Sequence, residues 1–145
     1  MPPDHFTEQA ARVMQLANRE ADRFKQEYIG TEHLLLGLAD EASGIAANVL
    51  ECLGLEHREI RRAVEAIGPV LVGVTWTGSR PHTPKVARAV KYANEEAAKA
   101  GHDCVGTGYL LLGLLREHQS VAAQLLMNAG LDLDDVRAGV LDTFW

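Results

Sequence analysis

Residues 30–38 read Gly-Thr-Glu-His-Leu-Leu-Leu-Gly-Leu, and residues 106–114 read Gly-Thr-Gly-Tyr-Leu-Leu-Leu-Gly-Leu. The offset of 76 holds without a gap well beyond this stretch. Thr7 falls on Thr83, Ala11-Arg12 on Ala87-Arg88, Ala17-Asn18 on Ala93-Asn94 and Glu20-Ala21 on Glu96-Ala97. Further on, Ala46-Ala47 falls on Ala122-Ala123, Leu50 on Leu126, Gly54-Leu55 on Gly130-Leu131 and Arg61 on Arg137. From Thr7 to Val64 roughly two positions in five are identical, more than composition alone produces, so the chain is an internal duplication. Whatever fold one half takes, the other must take as well.

Each half reads as four helices. Ala10, Val13, Met14, Ala17, Ala21 and Phe24 fall at the i, i+3, i+4, i+7 spacing of one helical face. The second half repeats the face at Val86, Ala89, Val90, Ala93, Ala97 and Ala100. Thr7 and Thr83 stand where an N-cap hydroxyl satisfies free amide hydrogens, and Pro84 takes the favoured first helical position. Thr31 and Thr107 begin a second, shorter helix, apolar nearly all round and therefore the most buried of each half. Third helices are predicted over 45–53 and 121–129, ended by Gly54 and Gly130. Fourth helices start near Glu56 and at Asp132, where Asp132, Asp134 and Asp135 favour the positive end of the helix dipole. The expectation is an all-α single domain over 1–145. Its eight helices form two pseudo-symmetric four-helix bundles, repeat 1 over 6–67 and repeat 2 over 83–142, packed on each other. The stretch 68–82, with Gly68, Pro69, Gly73 and Gly78, is expected to be a linker.

Composition narrows the function. A net charge of −6 gives no basic surplus to displace counterions from phosphates, which argues against a general nucleic-acid binder. No apolar run approaches the ~20 residues of a membrane span, and Met1 to His5 do not begin a secretory signal, so a cytoplasmic location is expected. Cys52 and Cys104 are read as lone, buried or half-buried thiols. Six histidines occur without the paired spacing of a helical zinc site, so no metal is expected. No Gly-x-x-x-x-Gly-Lys-Ser/Thr loop is present to cradle a nucleotide, and no acid, base and nucleophile converge. A binding protein without cofactor or catalysis, and a monomer, is the expectation. Arg58-Glu59-Ile60-Arg61-Arg62 reads as a solvated helix face.

The pattern Phe-Thr, an Ala-rich helix, Gly-Thr-Glu-His-Leu-Leu-Leu-Gly-Leu, Ala-Ala and Leu-Gly-Leu, given twice, resembles the Clp N-terminal repeat domain. Such domains precede the ATPase rings of ClpA- and ClpC-type unfoldases, and the likeness is closest to the ClpC type over residues 5 to 142. The resemblance implies a module that docks substrates and adaptor proteins for a ClpC-type unfoldase. The alternative is a free-standing regulator that competes with the unfoldase or sequesters its ligands, towards which the ending Leu141 to Trp145, without a linker-like tail, leans.

The resemblance also implies sites for phosphorylated arginine, one per repeat. A helix N-terminus and a threonine hydroxyl suit the phosphate, and a carboxylate suits the guanidinium. In repeat 1 the corresponding residues are Thr7 and Glu32; in repeat 2 Thr83 remains, but Gly108 and Tyr109 stand for the glutamate and histidine, which puts the second site in doubt. The competing reading makes Thr7, Thr31, Thr83 and Thr107 plain N-caps and Glu32 an exposed first-turn acid. Phe6 and Tyr109 are candidates for a peptide-docking groove between the repeats. Alternatively, Phe6 staples the first helix and Tyr109 packs with its hydroxyl outward.

Overall fold

The computed structural model describes residues 5–25, 28–67 and 83–143. Eight helices lie among them: α1 Glu8–Arg23, α2 Thr31–Asp40, α3 Ile45–Cys52, α4 His57–Ile67, α5 Pro84–Lys99, α6 Thr107–Arg116, α7 Val121–Asn128 and α8 Leu133–Thr143. Two extended segments, β1 His5–Phe6 and β2 Cys104–Val105, form a short parallel pair. The fold is all-α. The expected linker 68–82 with Trp76, and the terminal Trp145, lie outside the described residues.

Helices α2 and α6 form the centre, as their apolar sequences dictate: Leu34, Leu35, Leu36, Leu38, Leu110, Leu111 and Leu114 are fully buried. Each central helix presses on the long helix before it in sequence, α2 on α1 and α6 on α5. Glycine allows this close approach, since a Cβ at Gly37 would lie 2.7 Å from the Val13 carbonyl oxygen. Gly113 meets Ala89 in the same way. Helices α3 and α7 stop at glycines in the left-handed region, Gly54 at φ +90° and Gly130 at φ +91°, as their sequence positions predict.

The two repeats pack on each other, and they do so by exchanging helices across the seam. Helix α3 of repeat 1 packs on α6 and α8 of repeat 2, and α7 packs back on α2 and α4. The chain segments that open each repeat cross over in the same way. The Thr7 amide donates to the Val105 carbonyl, and the Thr83 amide donates to the Ile29 carbonyl, both at 3.0 Å. The cause is geometric. An eight-residue helix such as α3 buries only one face, and most of the apolar surface it meets belongs to the other half, the rest to α2.

The duplication carries its ion pairs with it. Arg61 bonds both carboxylate oxygens of the buried Glu20, at 3.0 and 2.8 Å. Arg137 bonds Glu96 in the second repeat. Arg12 meets Glu41 and Arg88 meets Glu117. Within the stretch read as a solvated face, Arg58, Glu59 and Arg62 are exposed, but Arg61 turns inward to this pair and Ile60 is buried. Both cysteines are exposed, against expectation. Cys52 lies on the outer face of α3's last turn, and pleat alternation puts Val105 inward and Cys104 outward. No helix among the described residues is long and apolar enough to cross a membrane.

Candidate binding site

The exchange between repeats gathers the starts of helices into two related seams. In the first, α2 begins beside the starts of α5 and α7. The Thr83 amide is tied to Ile29, and the Thr31 hydroxyl accepts from the Ala122 amide at 3.3 Å. In the second, α6 begins beside the starts of α1 and α3, where the Thr107 hydroxyl accepts from the Ala46 amide at 3.0 Å. Thr31 and Thr107 therefore cap helices of the opposite repeat. Thr7 and Thr83 cap their own helices, accepting from the amides of Ala10 and Val86. Each of the four hydroxyls still has a hydrogen to donate.

The seams differ where the sequences differ. Glu32 is buried, with 6% of its surface exposed, rather than an exposed first-turn acid. Its carboxyl folds back over Gly30, into the space that a Cβ at residue 30 would need. Burial pushes its pKa above the ordinary 4.5, opposed in part by a hydrogen bond from its own backbone amide. Its Oε1 has no hydrogen-bond partner, an unusual state for so buried an oxygen. His33 stands 3.7 Å from that oxygen through Nδ1, but this nitrogen accepts from the Gly30 amide at 3.0 Å. Nδ1 is thus engaged as an acceptor, and the ring hydrogen of neutral His33 lies on Nε2.

In the second seam Gly108 supplies no carboxyl, and a cavity of about 160 Å³ opens instead. Thr7, Ser43, Gly106, Thr107, His102 and Tyr109 help to line it, and among the described residues no carboxylate, lysine or arginine lines it. Tyr109 is not a surface aromatic: it is 2% exposed, and its hydroxyl hydrogen-bonds His102 Nδ1 at 2.6 Å. Phe6 is half-buried and packs against the core beside the same seam, where β1 pairs with β2. Thr7 and Glu32, which share a repeat in the sequence, face different seams; Thr83 comes to the start of α2 and Thr7 to the start of α6. The cross-repeat caps and the His102 hydrogen bond had no local sequence signature, because each joins residues that only the crossover or the Gly101 turn brings together.

A further duplicated feature lies at the far ends of the central helices. A cleft of about 360 Å³ opens among Ala39, Leu50, Leu55, Glu56 and Ile60, and one of about 370 Å³ among Leu115, Met127, Asp132 and Leu133. Beside the first, Asp40 pairs with His57 and Arg61, whereas the equivalent Arg116 bonds Glu95 and stacks on Tyr92.

The family model of the Clp repeat (R) N-terminal domain matches residues 5–82 and again residues 81–144. The chaperone protein ClpB of Oceanobacillus iheyensis is 46% identical over 136 residues, 94% of this chain and 17% of that protein. ClpC/MecB of Bacillus subtilis, described as a negative regulator of genetic competence, is 43% identical over 136 residues, again 94% of this chain and 16% of that protein. The chain thus spans about a sixth of the length of these curated relatives. Among solved structures, the N-terminal domain of ClpD from Arabidopsis thaliana superimposes with a TM-score of 0.79 at 21% identity, covering 99% of this chain and 97% of that one. A ClpV N-domain in complex with a VipB peptide gives 0.73 at 16% identity, covering 90% and 81%. Two matched repeats, close relatives over nearly the whole chain and a shared fold give one conclusion: this chain belongs to the Clp repeat N-terminal domain family.

Proposed function

We propose that the chain is a cytoplasmic protein-docking module of a Clp-type degradation system, recognising substrates or adaptor proteins for a ClpC-type unfoldase and catalysing nothing itself. Arginine-phosphorylated proteins are the substrate class that its first seam suits best. The observation that carries this reading is Glu32, a buried carboxylate with an unpartnered oxygen set among three helix starts. A lone carboxylate is costly to bury, and a guanidinium supplies the missing hydrogen bonds with matching charge. The amide-rich helix ends and the Thr83 hydroxyl favour the phosphate of the same group. The relatives named above support a role in Clp machinery, and the ClpV neighbour holds a peptide on the same fold.

The test is a mixing experiment. Arginine-phosphorylated casein should be retained by the immobilised chain and unmodified casein retained far less. Glu32→Ala should weaken the retention. A chain that binds both caseins equally, or neither, removes phosphoarginine from the reading. Failure with every substrate and adaptor of a ClpC-type unfoldase removes the docking role.

A further inference from the structure

We infer that the two seams have diverged in ligand class, with position 108 setting the difference: the chain reads one guanidinium, at the Glu32 seam, and not two. The inference rests on the reading of Glu32 given above and adds a stoichiometry and a specificity residue to it.

In the first seam the space above Gly30 is filled by the Glu32 carboxyl. Above Gly106, the equivalent glycine, a Cβ would find its nearest neighbour, Thr7 Cγ2, at 3.8 Å. That opening belongs to the 160 Å³ cavity lined by Thr7 and Tyr109. The second seam therefore keeps the threonine hydroxyls and helix starts but has lost the one group that answers a cation.

The loss is fixed by packing as well as by sequence. A Cβ at Gly108 would lie 2.8 Å from Val140 Cγ1 and 3.2 Å from Ile45 Cγ2. Helices α8 and α3 have closed onto the bare backbone of α6, so a side chain at 108 needs one of them to give way. Val140 has Val64 as its equivalent in the other repeat, whereas the equivalent of Ile45 is Val121, one methylene smaller. The first seam, with the smaller residue, is the one that accommodates a glutamate.

Calorimetric titration of the full chain with free phosphoarginine tests the proposal. One site is expected, weakened roughly 10- to 100-fold in Glu32→Ala, the loss typical of a charge-assisted hydrogen bond. Two equivalent sites in the unmodified chain would overturn the inference and leave the docking function standing; no site would overturn the phosphoarginine reading and the inference with it. Amide shift mapping by NMR gives an independent measure that needs no variant. Shifts should centre on Gly30 to Glu32 and Thr83. Equal, parallel shifts at Gly106 to Tyr109 would count against the proposal. In the Glu32→Ala background, Gly108→Glu with Val140→Ala should regain a single site, provided circular dichroism shows native helix content. A folded triple variant that binds no phosphoarginine would show that position 108 does not set the specificity.

Discussion

The hydroxyl of Thr31 caps a helix of the opposite repeat, accepting the Ala122 amide at 3.3 Å, and Thr107 returns the favour to Ala46. Helix α3 has glycine at its own N-cap and no side-chain cap from its own repeat, so the Thr107 hydroxyl is what satisfies its first turn. Thr107→Val should therefore destabilise the chain by about 1–2 kcal/mol. Thr31→Val should cost less, because Ser120 already caps α7 through the Ala123 amide. Urea denaturation read by circular dichroism measures both; equal losses would contradict the asymmetry.

Separated halves should not fold. A peptide of residues 1–67 lacks the α6 and α8 surfaces on which α3 packs, and residues 68–145 lack α2 and α4 beneath α7. Each alone is expected to show little helix, and an equimolar mixture to regain it. Native-like circular dichroism from either half alone would refute this.

Glu32 should make the fold less stable than it could be. Its folded pKa is raised by burial, so its charge costs stability in full above that raised value. That cost fades as pH falls through the raised folded value and is gone below the ordinary 4.5. Glu32→Gln is thus expected to stabilise the chain at pH 7 by on the order of 1 kcal/mol while weakening ligand binding. The stability difference should shrink towards nothing in acid, which thermal melts at stepped pH would show.

The pair Glu20–Arg61 has the opposite sign. Burial works against the Glu20 charge, but the hydrogen bonds and charge of Arg61 outweigh it and hold its pKa below the ordinary 4.5. Its stabilisation is present above that value and is lost as pH falls through the folded one. Arg61→Met leaves a buried carboxylate uncompensated and should cost about 3 kcal/mol at pH 7. Chemical denaturation of wild type and variant should show the gap narrowing as pH falls below the ordinary 4.5 and through the lowered folded value, as Glu20 takes up its proton.

Much of this was legible in the sequence, and for identifiable reasons. The caps at Thr7 and Thr83, the burial of the Leu-Leu-Leu-Gly-Leu helices and the stops at Gly54 and Gly130 depend on neighbours within a turn or two. The pairing of Glu20 with Arg61 and of Glu96 with Arg137 left a trace too, as two charged positions identical between repeats. What escaped was the exchange of helices, since periodicity shows which face of α3 is apolar but not which half covers it. Grouping Thr7 with Glu32 followed from that gap, as did reading Glu32 as exposed. A first-turn acid ordinarily faces water, and only the crossover of chain segments shuts it in.

The crossing of Thr7 to Val105 and of Thr83 to Ile29 has a consequence for how such a molecule can specialise. If one unit closed on an identical copy, any change at residue 32 would alter both recognition points together, because symmetry would forbid a private substitution. Covalent tandem linkage lifts that constraint: glutamate can persist at one address while glycine occupies its twin, and a two-fold object becomes a polar one.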